Sequence, residues 1–227
     1  MHDPATTGNW RRIIGSLVAI ALILSILSIL GKIFLAPAGP FVWAESGPAS
    51  NDDLITLSKC CMALMVMMVP SLAERKFSVD IPDQIGALYF MFLFAAIFLG
   101  DVLDFYAVIP FWDTILHAFS GALLTALGFV AILPLSGYKG QPLGLSPLAV
   151  ACLAFCFAMT MGCFWEMYEY TVDGLLFHNL QGYALGDGSL LCGRAALADT
   201  MEDIFTNAIS AMLIALAGYL MLKRQSS

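Results

Sequence analysis

Between Ile13 and Leu35 the chain runs for 23 residues with a single charge, Lys32. Runs of this kind recur, and they constrain the fold more than any other feature. The hydrocarbon core of a bilayer is about 30 Å thick and takes about 20 helical residues to cross. Six runs can be read, at about 13–35, 54–69, 85–104, 113–133, 147–170 and 199–222. They are far longer than the roughly 10 residues of a barrel strand, and strand alternation is absent. Soluble domains carry about 25% charged residues, whereas this chain is 12% charged and 60% hydrophobic. No soluble core of 227 residues hides so much apolar surface, but lipid lets helices be apolar all round. The expected fold is all-α: a polytopic helical membrane protein, about six transmembrane helices in one bundle, forming a single transmembrane domain over 1–227.

Chain breakers fall between the runs, at Pro37 to Pro48, Pro70 to Pro82, Pro110 and Pro134 to Pro147. The longest connection, about 171–198, is glycine-rich with apolar pieces such as Leu175-Leu176-Phe177, and can either dip into the interface or lid the bundle. Basic residues set the direction of insertion. Arg11, Arg12, Arg75, Lys76, Lys139, Lys223 and Arg224 fall on one side of a six-span chain, and the opposite loops hold only Arg194. Both termini are therefore expected in the cytoplasm, with the chain in a bacterial inner membrane. Trp10, Trp43, Trp112 and Trp165 fit an aromatic belt at the interfaces. The first run exceeds the 7–15 apolar residues of a signal peptide, so it is expected to remain as a span. A net charge of −7, with no basic cluster beyond paired residues at helix ends, argues against nucleic acid and leaves the lipid bilayer as partner. The cysteines show no CxxC metal spacing; Cys152, Cys156 and Cys163 share a face and read as small buried packing residues.

An acid within a span is expensive unless it faces protein or water, so the placement of the acids is informative. Asp113, His117 and Gly121 recur every four residues and share one stripe of the fourth run. Glu166, Glu169 and Asp173 share a face of the fifth, and Asp199, Asp203 and Asn207 a face of the sixth. The topology puts all three stripes in the outer half of the bundle. Carboxylates that converge repel one another unless a proton, a lysine or a metal ion intervenes; Lys59 is one candidate counter-charge. Asp101, Asp104, Asp113 and Glu202 read as solvated or capping residues first, and Asp199 makes an ordinary N-cap. Ala154, Ala158 and Gly162, and likewise Ala118, Ala122 and Ala126, form small-residue stripes that let helices approach closely.

In these stripes the chain resembles the YjdF-like bacterial inner-membrane proteins. The likeness lies in Trp112-Asp113-Thr114-Ile115-Leu116-His117-Ala118-Phe119-Ser120-Gly121, then Trp165-Glu166 with Glu169 and Asp173, then Asp199-Thr200-Met201-Glu202-Asp203 with Asn207. It covers about residues 85–222 in order and spacing. The order His, Glu, then Asp and Asn on successive helices is more distantly similar to VanZ-like membrane proteins. The resemblance implies a membrane location and these site residues, and it carries no substrate.

Three functions fit the stripes. One is a membrane-embedded enzyme on a lipid or polyprenyl head group, a lipid-like substrate, with His117, Glu166, Asp199 and Asp203 holding a divalent metal or moving protons. A second is a small transporter or cation- or proton-handling protein using the same carboxylates. The third is a structural or accessory membrane protein whose polar cluster fixes helix register.

Overall fold

The structure is a computed structural model and describes residues 4–35, 51–77, 79–135, 144–176, 178–185 and 187–225. Six helical segments are long and apolar enough to cross a membrane: Trp10–Phe34, Asp53–Lys76, Asp83–Val102, Trp112–Pro134, Pro147–Leu176 and Ala195–Gln225. They coincide with the six apolar runs. Among the described residues there is no strand, only an isolated antiparallel bridge between Ala184 and Leu190. The expected connection Pro37 to Pro48 with Trp43, and also Lys139, Phe177 and Gly186, lie outside the described residues.

The helices are α1 (Pro4–Leu35), α2 (Asn51–Val66), α3 (Val69–Phe77), α4 (Asp83–Leu93), α5 (Phe105–Val108), α6 (Trp112–Leu135), α7 (Pro147–Leu176) and α8 (Ala198–Gln225). A π-helical segment, Phe94–Val102, continues α4. The chain divides into two compact units, Met1–Trp112 and Asp113–Ser227.

In the first unit α1 packs against α2 and α4, burying Val18, Leu22, Ile55, Cys60, Ala63, Phe90 and Leu93. Leu17, Leu24 and Leu27 stay about 60% exposed on α1, as a lipid-facing stripe should. Pro70 was expected in a loop. It instead sits in the first turn of α3, where its missing N–H leaves no helical bond unmade. The cost appears one turn earlier, as a break at Met67 and Met68 between α2 and α3. The third span ends in wide turns: Leu103 donates its N–H to the Phe98 carbonyl, five residues back, at 3.0 Å. That register brings Asp101 to Lys59, Nζ to Oδ1 at 2.6 Å, with both side chains largely buried. Lys59 is thus the counter-charge of Asp101, and Asp101 is a paired interior residue, not a solvated or capping one.

In the second unit the seam between α7 and α8 follows from two stripes of small and polar residues. On α7 the buried positions are Val150, Ala151, Ala154, Ala158, Glu166, Glu169 and Asp173; on α8 they are Asp203, Asn207, Ala211 and Ala215, every fourth residue. Ala154 and Ala158 are fully buried, as expected of the small stripe. On α6 the buried stripe is His117, Gly121, Thr125 and Gly128, whereas Ala118, Ala122 and Ala126 are only half-buried. A Cβ on Gly128 would stand 2.9 Å from the Ala154 Cα, so the two helices nearly touch there. The three cysteines of α7 correct the sequence reading, because all are exposed. Cys152 and Cys156 lie two residues from Ala154 and Ala158, hence on nearly the opposite side of the helix.

Candidate metal centre

All three polar stripes of the second unit meet at the His117 imidazole. α6 carries Asp113 and His117 one turn apart, with Asp113 Oδ1 3.7 Å from His117 Nε2. α7 contributes Glu166, whose Oε1 is 4.0 Å from the same nitrogen. α8 contributes Asp203, with Oδ2 at 3.9 Å. These separations are too long for hydrogen bonds. They come close to the spacing of ligands around one ion: donors about 2.1 Å from a tetrahedral metal stand about 3.4 Å apart.

Asp113, His117 and Asp203 can hold a metal ion, since one ligand atom from each lies within 4.8 Å of the others. Of the four residues expected to bind metal, His117 and Asp203 belong to this group and Glu166 borders it. Asp199 stands outside, beside Gly182, where an added Cβ would be 3.0 Å from the carboxylate. Asp113 takes the remaining place. The signal for it was in the sequence, as the i−4 neighbour of His117.

Burial makes the cluster costly as it stands. Glu166 and His117 are 6% and 7% exposed, Asp203 3% and Asn207 2%. Glu166 Oε1 and Oε2, Asp203 Oδ2 and Asn207 Oδ1 are buried and accept no hydrogen bond from the protein. A buried acceptor left so costs about 1–3 kcal/mol, more if charged. A cation among these oxygens would satisfy them together. The recess they border has no free room for a water-sized molecule; His117, Met159, Gly162, Glu166, Asp203 and Asn207 are among its lining. Glycines make the space for Asn207. A Cβ on Gly162 would come within 2.6 Å of its Nδ2, and one on Gly121 within 2.8 Å of its Oδ1. Asn207 Nδ2 itself reaches the Met159 sulfur at 3.6 Å. Neither glycine's role was evident from sequence, because a cradle depends on what crosses it.

The remaining acids hold the surroundings. Glu169 accepts the Trp165 indole N–H at 2.9 Å. Asp173 accepts the N–H groups of Leu180 and Gln181 at 2.7 and 2.9 Å, so both its oxygens anchor the connection after α7. Gln181 in turn donates to the Thr200 hydroxyl at 2.9 Å. Residues 178–185 are thereby tied back onto the ends of α7 and α8. Farther along, the Ser189 hydroxyl and N–H both donate to Asp187, holding its exposed carboxyl below the usual range.

The chain matches the family described as a predicted membrane protein, DUF2238, over residues 17–224. An uncharacterised protein of Thermotoga maritima is similar, 26% identical over 107 residues, which is 47% of this chain and 53% of that protein. The chain thus spans about half the length of that curated relative. No solved structure matches. With a match that reaches into all six spans and takes in the whole polar cluster, the chain belongs to the DUF2238 family of predicted membrane proteins.

Proposed function

We propose that the second unit is a metal-dependent, membrane-embedded enzyme acting on a lipid or polyprenyl head group. One observation carries the reading: buried, unsatisfied oxygens of Glu166 and Asp203 converge from two helices on His117 Nε2, within 4.0 Å. His117, Asp113 and Asp203 hold a divalent cation, with Glu166 and Asn207 completing the shell. One imidazole among several carboxylates suits zinc, iron or manganese. Such an ion supplies Lewis acidity or an activated water. His117 lies five residues into α6, about 7 Å along its axis, a depth that suits head groups better than acyl chains. The three stripes also favour kinship with the YjdF-like proteins. The basic residues favour cytoplasmic termini in a bacterial inner membrane, with the cluster toward the outer leaflet.

The recess at His117 has no free room even for a water-sized molecule, which favours a second reading, a protein that carries the cation itself.

The test is metal content by mass spectrometry on detergent-purified protein, followed by two functional assays. Wild type is expected to hold one transition metal per chain, lost in His117→Ala and in Asp203→Asn. Metal-dependent change in a lipid head group, without metal uptake by proteoliposomes, supports the enzyme. Uptake abolished by the same substitutions supports the carrier. Wild-type protein that binds no metal sinks both.

A further inference from the structure

The first unit contains a groove of about 810 Å3, which shares no lining residue with the recess at His117. It arises where the second span breaks. Pro70 lacks an N–H and its ring crowds the carbonyl four residues back, so the chain turns at Met67 and Met68, with the Met68 N–H bonded to Met65 at 3.1 Å. Across the groove α1 presents Ser16 and Ala19, both small, beside Gly15, against which the Phe90 ring packs. Leu64, Met68 and Phe90 supply apolar walls.

One end of the groove is cationic, lined by Arg11, Arg12 and Arg75. Arg11 is already engaged, with Nη1 and Nη2 on the Glu74 carboxylate at 2.6 and 3.2 Å. Its side chain crosses Gly86, where a Cβ would stand 2.6 Å from Nε, so this residue is held in place. Arg12 and Arg75 are exposed and make no hydrogen bond or ion pair among the described residues. With Glu74 committed to Arg11, Asp83 is the other acid lining the groove among the described residues, and the end keeps a positive charge. Guanidinium groups grip phosphate oxygens in bidentate geometry. Two of them at the head of an apolar trough complement one ligand chemistry, a phosphate on acyl chains.

We propose that this groove binds one anionic phospholipid, its phosphate between Arg12 and Arg75 and an acyl chain along Ala19, Leu64, Met68 and Phe90. Under the orientation favoured above, that lipid belongs to the inner leaflet.

Native mass spectrometry tests it, using purified full-length protein with an equimolar mixture of phosphatidylglycerol and phosphatidylcholine. Wild type is expected to retain one phosphatidylglycerol per chain in preference to phosphatidylcholine. Arg12→Gln and Arg75→Gln are each expected to lower retention about fivefold, the ratio equivalent to about 1 kcal/mol per basic residue at an anionic surface. Ala19→Phe obstructs the trough without touching the charge, and is expected to weaken both lipids. Both arginines are exposed, so thermal unfolding of their variants is expected to match wild type. Equal retention of the two lipids by wild type overturns the proposal, as does undiminished phosphatidylglycerol in the double arginine variant. Displacement of the lipid by excess inorganic phosphate also overturns it, assigning the site to free phosphate.

Discussion

Lys59 and Asp101 illustrate how much a single position can carry in this chain. The two meet at 2.6 Å with side-chain exposures of 7% and 12%. Breaking a buried pair by removing one partner costs about 3–5 kcal/mol, because the other charge stays in the interior. Lys59→Met is expected to destabilise by that amount, and Lys59→Met with Asp101→Leu to recover most of it, both read from denaturation in detergent. The sequence showed a lysine and an aspartate at the ends of neighbouring spans, but not that they were each other's partners. Charge can be read from letters; pairing depends on rotation about each helix axis. The metal cluster divides in the same way. The i, i+4 stripes of α6, α7 and α8 were visible, and His117, Glu166, Asp203 and Asn207 do converge. Asp113 was visible as the i−4 neighbour of His117; what the letters did not show is that Asp199, on an equally polar stripe, lies beside Gly182 of the connection.

At the scale of elements, apolar length alone located all six long helices to within a few residues, apart from the ends of the second and fifth. Those ends escaped for physical reasons. Pro70 reads as a stop but is admissible in a first helical turn, so α3 extends the second span to Lys76. α7 runs on to Leu176, past the apolar run that stops near Tyr170, with Glu169 and Asp173 buried along its partnered face. The connection beyond α7 depends on Asp173. Hydrogen bonds to a charged acceptor are worth about 1.5–3 kcal/mol, and this carboxylate accepts two. Asp173→Ala is expected to speed hydrogen exchange at the amides of Leu180 and Gln181 by at least tenfold, leaving the α8 amides near Ala211 unchanged. Equal protection in both proteins would mean the connection is held by something else.

For the whole molecule, the proposed metal site ties stability to occupancy. A ligand that binds only the folded chain stabilises it by about 2.7 kcal/mol at a hundredfold excess over its Kd. Stripping metal with a chelator is therefore expected to lower the unfolding temperature of wild type, and to leave His117→Ala unmoved. A chelator effect of equal size in both would place the ion elsewhere. Finally, the α7–α8 seam bears on traffic. Beneath Asn207 it closes through Ala154, Ala158, Ala211 and Ala215, each no more than 5% exposed, with Gly128 of α6 drawn up against Ala154. Along that seam the way past the imidazole is shut, so a solute crossing at this level would need a route other than the one between α7 and α8.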